Sequence, residues 1–110
     1  MHSTQHVPGF VLYGTTKGAI NAFTQALAVE LAPHNVTVNA IAPGAIYVPR
    51  YDHTGLDKEK IVKAIPAGTM GNTDDIGRAA VFLASPDADY INGEIMFIDG
   101  ALTSRMRLGD

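Results

Sequence analysis

The feature that most constrains this chain is its shortage of strand material. Two short apolar runs read as strands: residues 36–42 (Val-Thr-Val-Asn-Ala-Ile-Ala) and residues 95–98 (Ile-Met-Phe-Ile). Each follows a stretch of helical periodicity, and the order helix–strand–helix–strand predicts an α/β fold with parallel strands. A parallel sheet is buried on both faces and needs covering layers. Two strands cannot supply them. The pattern therefore reads as part of something larger. The 110 residues alone are expected to aggregate or fold only in part, without a sharp cooperative melt.

The spacing predicts a long helix over 11–32. Ile20, Phe23, Leu27 and Leu31 recur at helical intervals. Gly18, Ala19, Ala22 and Ala26 make a second face of small residues, against which another helix can approach closely. Pro33 and Asn35 end this helix. Pro43-Gly44 stops the first strand, and residues 47–56 read as an irregular loop. A short helix is expected over 57–65, ended by Pro66. Thr73 is the expected N-cap of a third helix, with Asp74 and Asp75 in its first turn near the positive end of the dipole. Its expected buried face is Ile76, Ala79, Ala80 and Leu83, and Ser85-Pro86 closes it. Asn92-Gly93 marks a turn before the last strand, and residues 1–10, with Pro8 and Gly9, read as a loop.

Length and composition narrow the function classes. The chain is long enough for one small domain and not for two. A net charge of −3 with eight scattered Lys and Arg gives no basic stripe, so no nucleic acid partner is expected. The absence of cysteine excludes a disulfide framework, a zinc–thiolate site and a cysteine nucleophile. It also suits a reducing cytoplasm. Four histidines with no shared spacing give no reason to expect a metal site. No apolar run approaches the ~18 residues of a membrane span, and the polar start Met-His-Ser-Thr-Gln-His is unlike a signal peptide. The expectation is a cytoplasmic protein with no membrane partner.

Chemistry enters at Tyr13-Gly14-Thr15-Thr16-Lys17. On a helix, residues four apart share one face, one turn apart. A free phenol titrates near pH ~10, so roughly one in a thousand is ionised at neutral pH. A neighbouring cation stabilises the phenolate and makes it a usable acid or base. The same ammonium can donate to a sugar hydroxyl. Alone the pair is weak, because Tyr-x-x-x-Lys arises by chance in roughly one chain in five of this length. A lone tyrosine near a helix start is more often a packing residue with a wet hydroxyl. Further along, the first strand ends abruptly in Pro43-Gly44. Ligands of open α/β sheets bind beyond the carboxyl ends of strands, and a glycine there lets a flat ring approach the backbone. Taken alone, that feature is more simply a strand stop.

Together the motifs are specific. Tyr13-x-x-x-Lys17, the alanine-rich helix through Glu30, Val38-Asn39-x-Ile41-x-Pro43-Gly44, the helix from Asp75-Ile76 to Ser85 and the strand between Gly93 and Gly100 stand in one family's order and spacing. The chain resembles the C-terminal half of a short-chain dehydrogenase/reductase over nearly its whole length. That resemblance implies an α/β fold, the C-terminal part of a Rossmann-like doubly wound parallel sheet, and NAD(P)-dependent oxidation or reduction of a small alcohol or carbonyl substrate. It implies that Tyr13 exchanges a proton with the substrate oxygen while hydride moves to or from the nicotinamide. Lys17 would support the phenolate and hold the nicotinamide ribose. Pro43, Gly44, Ile46 and Val48 fall at the positions that contact the nicotinamide end of NAD or NADP. Substrate-facing residues fall within 47–65, where Tyr47, Arg50, Tyr51 and His53 could reach a sugar; a solvated loop is the plainer reading for Arg50 and His53.

The sequence also departs from the family pattern. Val48 stands where a threonine usually bonds the carboxamide, so one hydrogen bond of about 1 kcal/mol net is lost. Ala101 stands where the family has the second glycine of Asp-Gly-Gly; if that position needs a positive φ, alanine is strained there. Asp99 reads as structural. The Gly-rich phosphate loop and the Asn-Ala-Gly motif have no match in the 110 residues, and neither Ser3 nor Ser85 fits the position of the catalytic serine. The resemblance thus implies one domain whose N-terminal dinucleotide-binding part is absent from residues 1–110, and a homo-oligomer in its full-length form. His2, Pro8, Pro43-Gly44-Ala45-Ile46 and Ile65-Pro66 look similar to glucose 1-dehydrogenase-like members. The alternative is a truncated, inactive remnant that only associates with itself or with full-length homologues through its small-residue helix face.

Overall fold

A computed structural model describes residues 11–53, 55 and 57–105. The loop expected over 1–10 lies outside the described residues. Helix α1 runs Val11–Leu31 and tightens into a 3-10 turn, Ala32–His34. Asn35 ends it in the left-handed conformation at φ 60, its N–H bonded to the Ala32 carbonyl, as asparagine tolerates at a C-terminal cap. Strand β1, Ala40–Pro43, follows. A 3-10 turn, Pro49–His53, leads to α2, Lys58–Ala64. The Asp57 carboxylate caps α2 by accepting from the Lys60 amide at 3.1 Å. Ile65 turns extended ahead of Pro66, because the proline ring excludes the helical region for the residue before it. Helix α3, Thr73–Leu83, and strand β2, Ile95–Ile98, complete the order.

The two strands pair in parallel, Ala40 opposite Ile95 through Pro43 opposite Ile98. The first strand is shorter than the sequence pattern predicts. Residues 36–39 are extended but bond to a turn and not to a strand. The Val38 amide donates to the Asn92 side chain at 2.9 Å, and the Val38 carbonyl accepts from Gly93 N–H at 2.8 Å. Asn39 spans the same junction, donating to the Ile91 carbonyl and accepting from the Glu94 amide. The partner chain turns at Gly93, whose φ is 76. A ladder can therefore begin only at Ala40, where the N–H reaches the Glu94 carbonyl.

A second correction concerns α3. Its N-cap is Asn72, not Thr73. The Asn72 side chain accepts from the Asp75 amide at 3.0 Å, and the Asp75 carboxylate accepts from the Asn72 amide at 2.9 Å. This reciprocal box needs a side-chain acceptor three residues after the cap. Counting from Asn72 that residue is Asp75. From Thr73 it would be Ile76, which has no acceptor.

Burial is thin. The buried apolar residues are Ala28, Ile65, Ala88 and Leu102, and no large side chain among the described residues is fully enclosed. On α1, Leu12, Phe23 and Val29 are 81%, 65% and 77% exposed; on α3, Val81 is 72% exposed. The expected face of α3 is only half covered at Ile76, Ala79 and Leu83, and Ala80 is exposed. The periodicity is real, but the layer that would cover it is missing among the described residues. Thr24, the buried polar residue, satisfies itself by donating to the Ile20 carbonyl one turn back at 2.8 Å.

The capping geometry separates two neighbouring substitutions. Asn72→Ala is expected to cost about 1 kcal/mol, and Thr73→Ala less than about 0.5 kcal/mol. Urea-unfolding midpoints of the two variants check the ordering.

Candidate active site

The predicted site residues occupy two places. Tyr13 and Lys17 lie on α1 four residues apart, one helical turn on one face. The Tyr13 side chain lies outside the described residues; Lys17 is half-buried. Thr16, beside Lys17 in sequence, turns its hydroxyl back onto the Leu12 carbonyl at 2.8 Å. Pro43, Gly44, Ile46 and Val48 form one continuous stretch at the carboxyl end of β1, which the structure brings together with the carboxyl end of β2.

Hydrogen bonds fix that end closely. Gly44 N–H donates to the Ile98 carbonyl at 2.9 Å. A β-carbon on Gly44 would stand 2.5 Å from the β-carbon of Asp99. The glycine therefore serves the approach of Asp99, and the space that its missing side chain leaves is filled by the protein itself. Beyond Gly44 the chain zips onto the approach to α3. Gly71 N–H donates to the Ala45 carbonyl at 3.0 Å, Tyr47 N–H donates to the Gly71 carbonyl at 2.8 Å, and Ile46 bridges Gly71 in parallel. Between these segments lies a pocket of about 170 Å3, bounded by Ala45, Met70, Gly71, Asp75 and Asp99. It sits beyond the carboxyl ends of both strands, where open α/β sheets take their ligands.

Asp99 is the organiser of this end. Its carboxylate accepts from the Ala101 amide at 3.0 Å, the Thr103 amide at 3.1 Å and the Thr103 hydroxyl at 2.5 Å. Burial pushes its pKa up, but the Thr103 and Ala101 hydrogen bonds outweigh that and hold it below the ordinary carboxylate value. A structural role for Asp99 follows from these bonds. They also draw Ala101 into a positive φ of 71, the strain expected of an alanine at the family's glycine position. Gly100, at φ 61, is doubly required, since a side chain there would lie 2.8 Å from Ile65 Cγ2.

One cluster was not singled out by its residues. Tyr47 donates its hydroxyl to Asp52 at 2.6 Å, Lys58 pairs with the other oxygen of the same carboxylate, and the Lys58 ammonium stands 5.1 Å from the centre of the Tyr47 ring. The Asp52 hydrogen bond raises the Tyr47 pKa. Hydrogen bonds from Lys58 and Tyr47 lower that of Asp52. The intervals of five and six residues match neither a helix nor a strand, so no periodicity announces the cluster. Arg50 and His53 are exposed, and the Tyr51 side chain lies outside the described residues. Among the described residues no group of three or more His, Cys, Asp or Glu side chains could hold a metal ion, and no helix is long and apolar enough to cross a membrane.

Comparison with known proteins places this geometry. The family model described as enoyl-(acyl carrier protein) reductase matches residues 1–103. The chain belongs to the short-chain dehydrogenase/reductase family. It is 45% identical over 96 residues to the 2-dehydro-3-deoxy-D-gluconate 5-dehydrogenase of Bacillus subtilis, covering 84% of this chain and 38% of that protein. To the short-chain reductase protein NovJ of Streptomyces niveus it is 42% identical over 96 residues, covering 80% and 37%. Among solved structures, a gluconate 5-dehydrogenase from Burkholderia cenocepacia in complex with NADP and tartrate superposes with a TM-score of 0.85 at 32% identity, covering 96% of this chain and 42% of that one. ElxO with NADP bound gives 0.85 at 31% identity, covering 94% and 44%. The α/β, Rossmann-like fold expected of a short-chain dehydrogenase/reductase is therefore the fold observed. The chain spans about two fifths of the length of the curated relatives it matches.

Two outcomes follow at the carboxyl end. Left-handed geometry costs a non-glycine residue about 1–2 kcal/mol, and glycine's looser unfolded state returns about 0.4–1 kcal/mol of that. Ala101→Gly is thus expected to stabilise by about 0.5–1 kcal/mol, read as a higher urea midpoint. Asp99, with its lowered folded pKa, contributes stability that is present above the unfolded carboxylate value of ~3.9 and is lost as pH falls through the lower folded value. Asp99→Asn is expected to remove that part of the acid dependence, so that its urea midpoint falls less than the wild type's between about pH 6 and pH 2.

Proposed function

We propose that the protein containing these residues is an NAD(P)-dependent oxidoreductase acting on a small alcohol or carbonyl compound. The observation that carries the reading is the Tyr13-x-x-x-Lys17 helix together with the 43–48 stretch at the carboxyl end of a parallel strand pair. The C-terminal half of helix α1 lies against the turn ahead of β2, where a side chain on Gly93 would touch Ala28 at 3.5 Å. Helices joined to parallel strands ordinarily run back along them. Over the 11 residues from Ala28 to Lys17 such a course covers about 16 Å, close to the roughly 20 Å from Gly93 to Asp99 in extended chain. That course brings Lys17 and Tyr13 to the level of the carboxyl-end pocket.

The residues suit the nicotinamide end of a dinucleotide. Gly44, Ala45, Ile46 and Val48 are half-exposed, small or apolar, and carry no charge, as a flat ring needs. The Lys17 ammonium is a donor for ribose hydroxyls. The bound nicotinamide supplies or accepts the hydride. Tyr13 gives a proton to the substrate oxygen in reduction or takes it in oxidation. Lys17 holds the phenolate form by charge. Val48 offers shape without a hydroxyl, so the carboxamide is held by one hydrogen bond fewer, about 1 kcal/mol. The NADP named with both solved neighbours supports a nicotinamide dinucleotide here. The sugar-acid dehydrogenases among the relatives support a polyhydroxylated substrate. The narrower likeness to glucose 1-dehydrogenase-like members rests on the sequence alone.

A second reading is favoured by the exposure of Leu12, Phe23 and Val29. On it, the 110 residues by themselves are inactive and associate with one another or with a full-length homologue through α1. Co-purification with such a homologue, without nicotinamide turnover, supports it.

The deciding experiment assays the protein with NAD and NADP against sugar and alcohol substrates. Tyr13→Phe is expected to lower kcat by about 100- to 10,000-fold. Lys17→Met is expected to lower it as well and to move the base limb of the pH profile upward. A folded Tyr13→Phe variant with wild-type turnover overturns the reading.

A further inference from the structure

We propose that Asp52 is a positioning residue: by joining Tyr47 to Lys58 it holds the chain that leaves the site, and the start of α2, in place against the carboxyl end of β1. The inference rests on the oxidoreductase reading and goes beyond it by naming a group that acts on cofactor binding through its neighbours.

Three side chains from three local structures meet here. Tyr47 follows directly on the Ile46–Gly71 bridge, and its own N–H is bonded to the Gly71 carbonyl. This end of the cluster is therefore fixed to the approach to α3. Asp52 comes from the Pro49–His53 turn. Lys58 is the first residue of α2, next to the Asp57 cap. The two oxygens of one carboxylate divide the work, one accepting from the Tyr47 hydroxyl and the other from Lys58. The Lys58 ammonium closes the triangle over the Tyr47 ring at 5.1 Å, within the range of a cation–π contact. Each member touches both others, and only Asp52 can bridge the two donors.

The position of the cluster argues for function over stability. Asp52 and Lys58 are each nearly half exposed, and exposed ion pairs contribute little to folding. Yet Tyr47 stands between Ile46 and Val48, the two residues proposed to face the nicotinamide. A shift of Tyr47 moves both. Small misplacements of positioning groups cost far more in reaction rate or binding than in stability. The tyrosine hydroxyl is also committed as a donor to Asp52.

The test is Asp52→Ala in the full-length protein, with Lys58→Met beside it. Asp52→Ala is expected to raise the KM for NAD or NADP about tenfold while kcat stays within about twofold. The wild-type KM is expected to rise between about 0.05 and 1 M salt, where exposed pairs are screened, and that of Asp52→Ala to be high and flat. Lys58→Met is expected to fall between the two. Amide exchange on the same samples, which needs no turnover, is expected to quicken in the Pro49–His53 turn and in α2. Unchanged exchange overturns the proposal. So does quickened exchange with an unchanged KM in an active enzyme. A folded wild type without turnover on any substrate overturns the oxidoreductase reading, and this proposal with it; an active wild type whose KM ignores Asp52 overturns this proposal alone.

Discussion

The parallel pairing of Ala40–Pro43 with Ile95–Ile98 is the constraint on which the rest depends. It joins residues 55 apart in sequence, so the chain between must leave at one end of the sheet and return to the other. That requirement places the Pro49–His53 turn and α2 after the carboxyl end of β1, and makes α3 part of the return. It also sets Gly44 against Asp99. Without the pairing, the two halves of the carboxyl-end pocket belong to unrelated parts of the chain.

Side-chain hydrogen bonds fasten the pair at both ends. At the amino end the amides of Asn39 and Asn92 tie the extended 36–39 stretch to the turn at Gly93. At the carboxyl end the Asp99 carboxylate gathers Ala101 and Thr103. Four ladder positions make a weak sheet, and parallel pairing is slightly less stable per residue than antiparallel. Polar locks at its ends fix the register without a core, which this segment lacks among its described residues. The cost appears at Ala101, where satisfying Asp99 holds a β-carbon in the left-handed region.

The helices were legible because their signals are local: apolar spacing for α1, Asp57 and Pro66 for the limits of α2, and the acidic first turn of α3. Two expectations failed, one for a distant reason and one for a local one. At β1 the residues 36–39 have strand composition, but what faces them is a turn, and that is decided 55 residues away. At α3 both Asn72 and Thr73 are good caps, and only the reciprocal bond from Asp75 separates them. The positive φ at Ala101 was legible as a condition, because Asp-Gly-Gly is a backbone requirement written in residue types. The Tyr47–Asp52–Lys58 cluster was not, since a loop carries no period by which distant members can be counted. The residues proposed to meet the nicotinamide were legible as a stretch, but the role of Gly44 was not. Its freedom is used by Asp99, a contact that only the paired strands create.

The thin core and the proposed chemistry are linked through α1. Helix α1 is held at Thr24 and Ala28, both buried, while Leu12, Ile20, Phe23 and Val29 along its length stand open to solvent. Tyr13 and Lys17 lie on this same helix. The carboxyl-end pocket is set by short-range bonds and needs little support from elsewhere. On the proposed reading, the placement of residues 13 and 17 relative to it depends on whatever covers the exposed apolar side of α1, be it further chain or a second copy. An acid–base pair misplaced by even an ångström loses much of its effect. On the proposed reading, covering α1 is therefore a condition of catalysis as much as of stability, and its exposed apolar residues serve both.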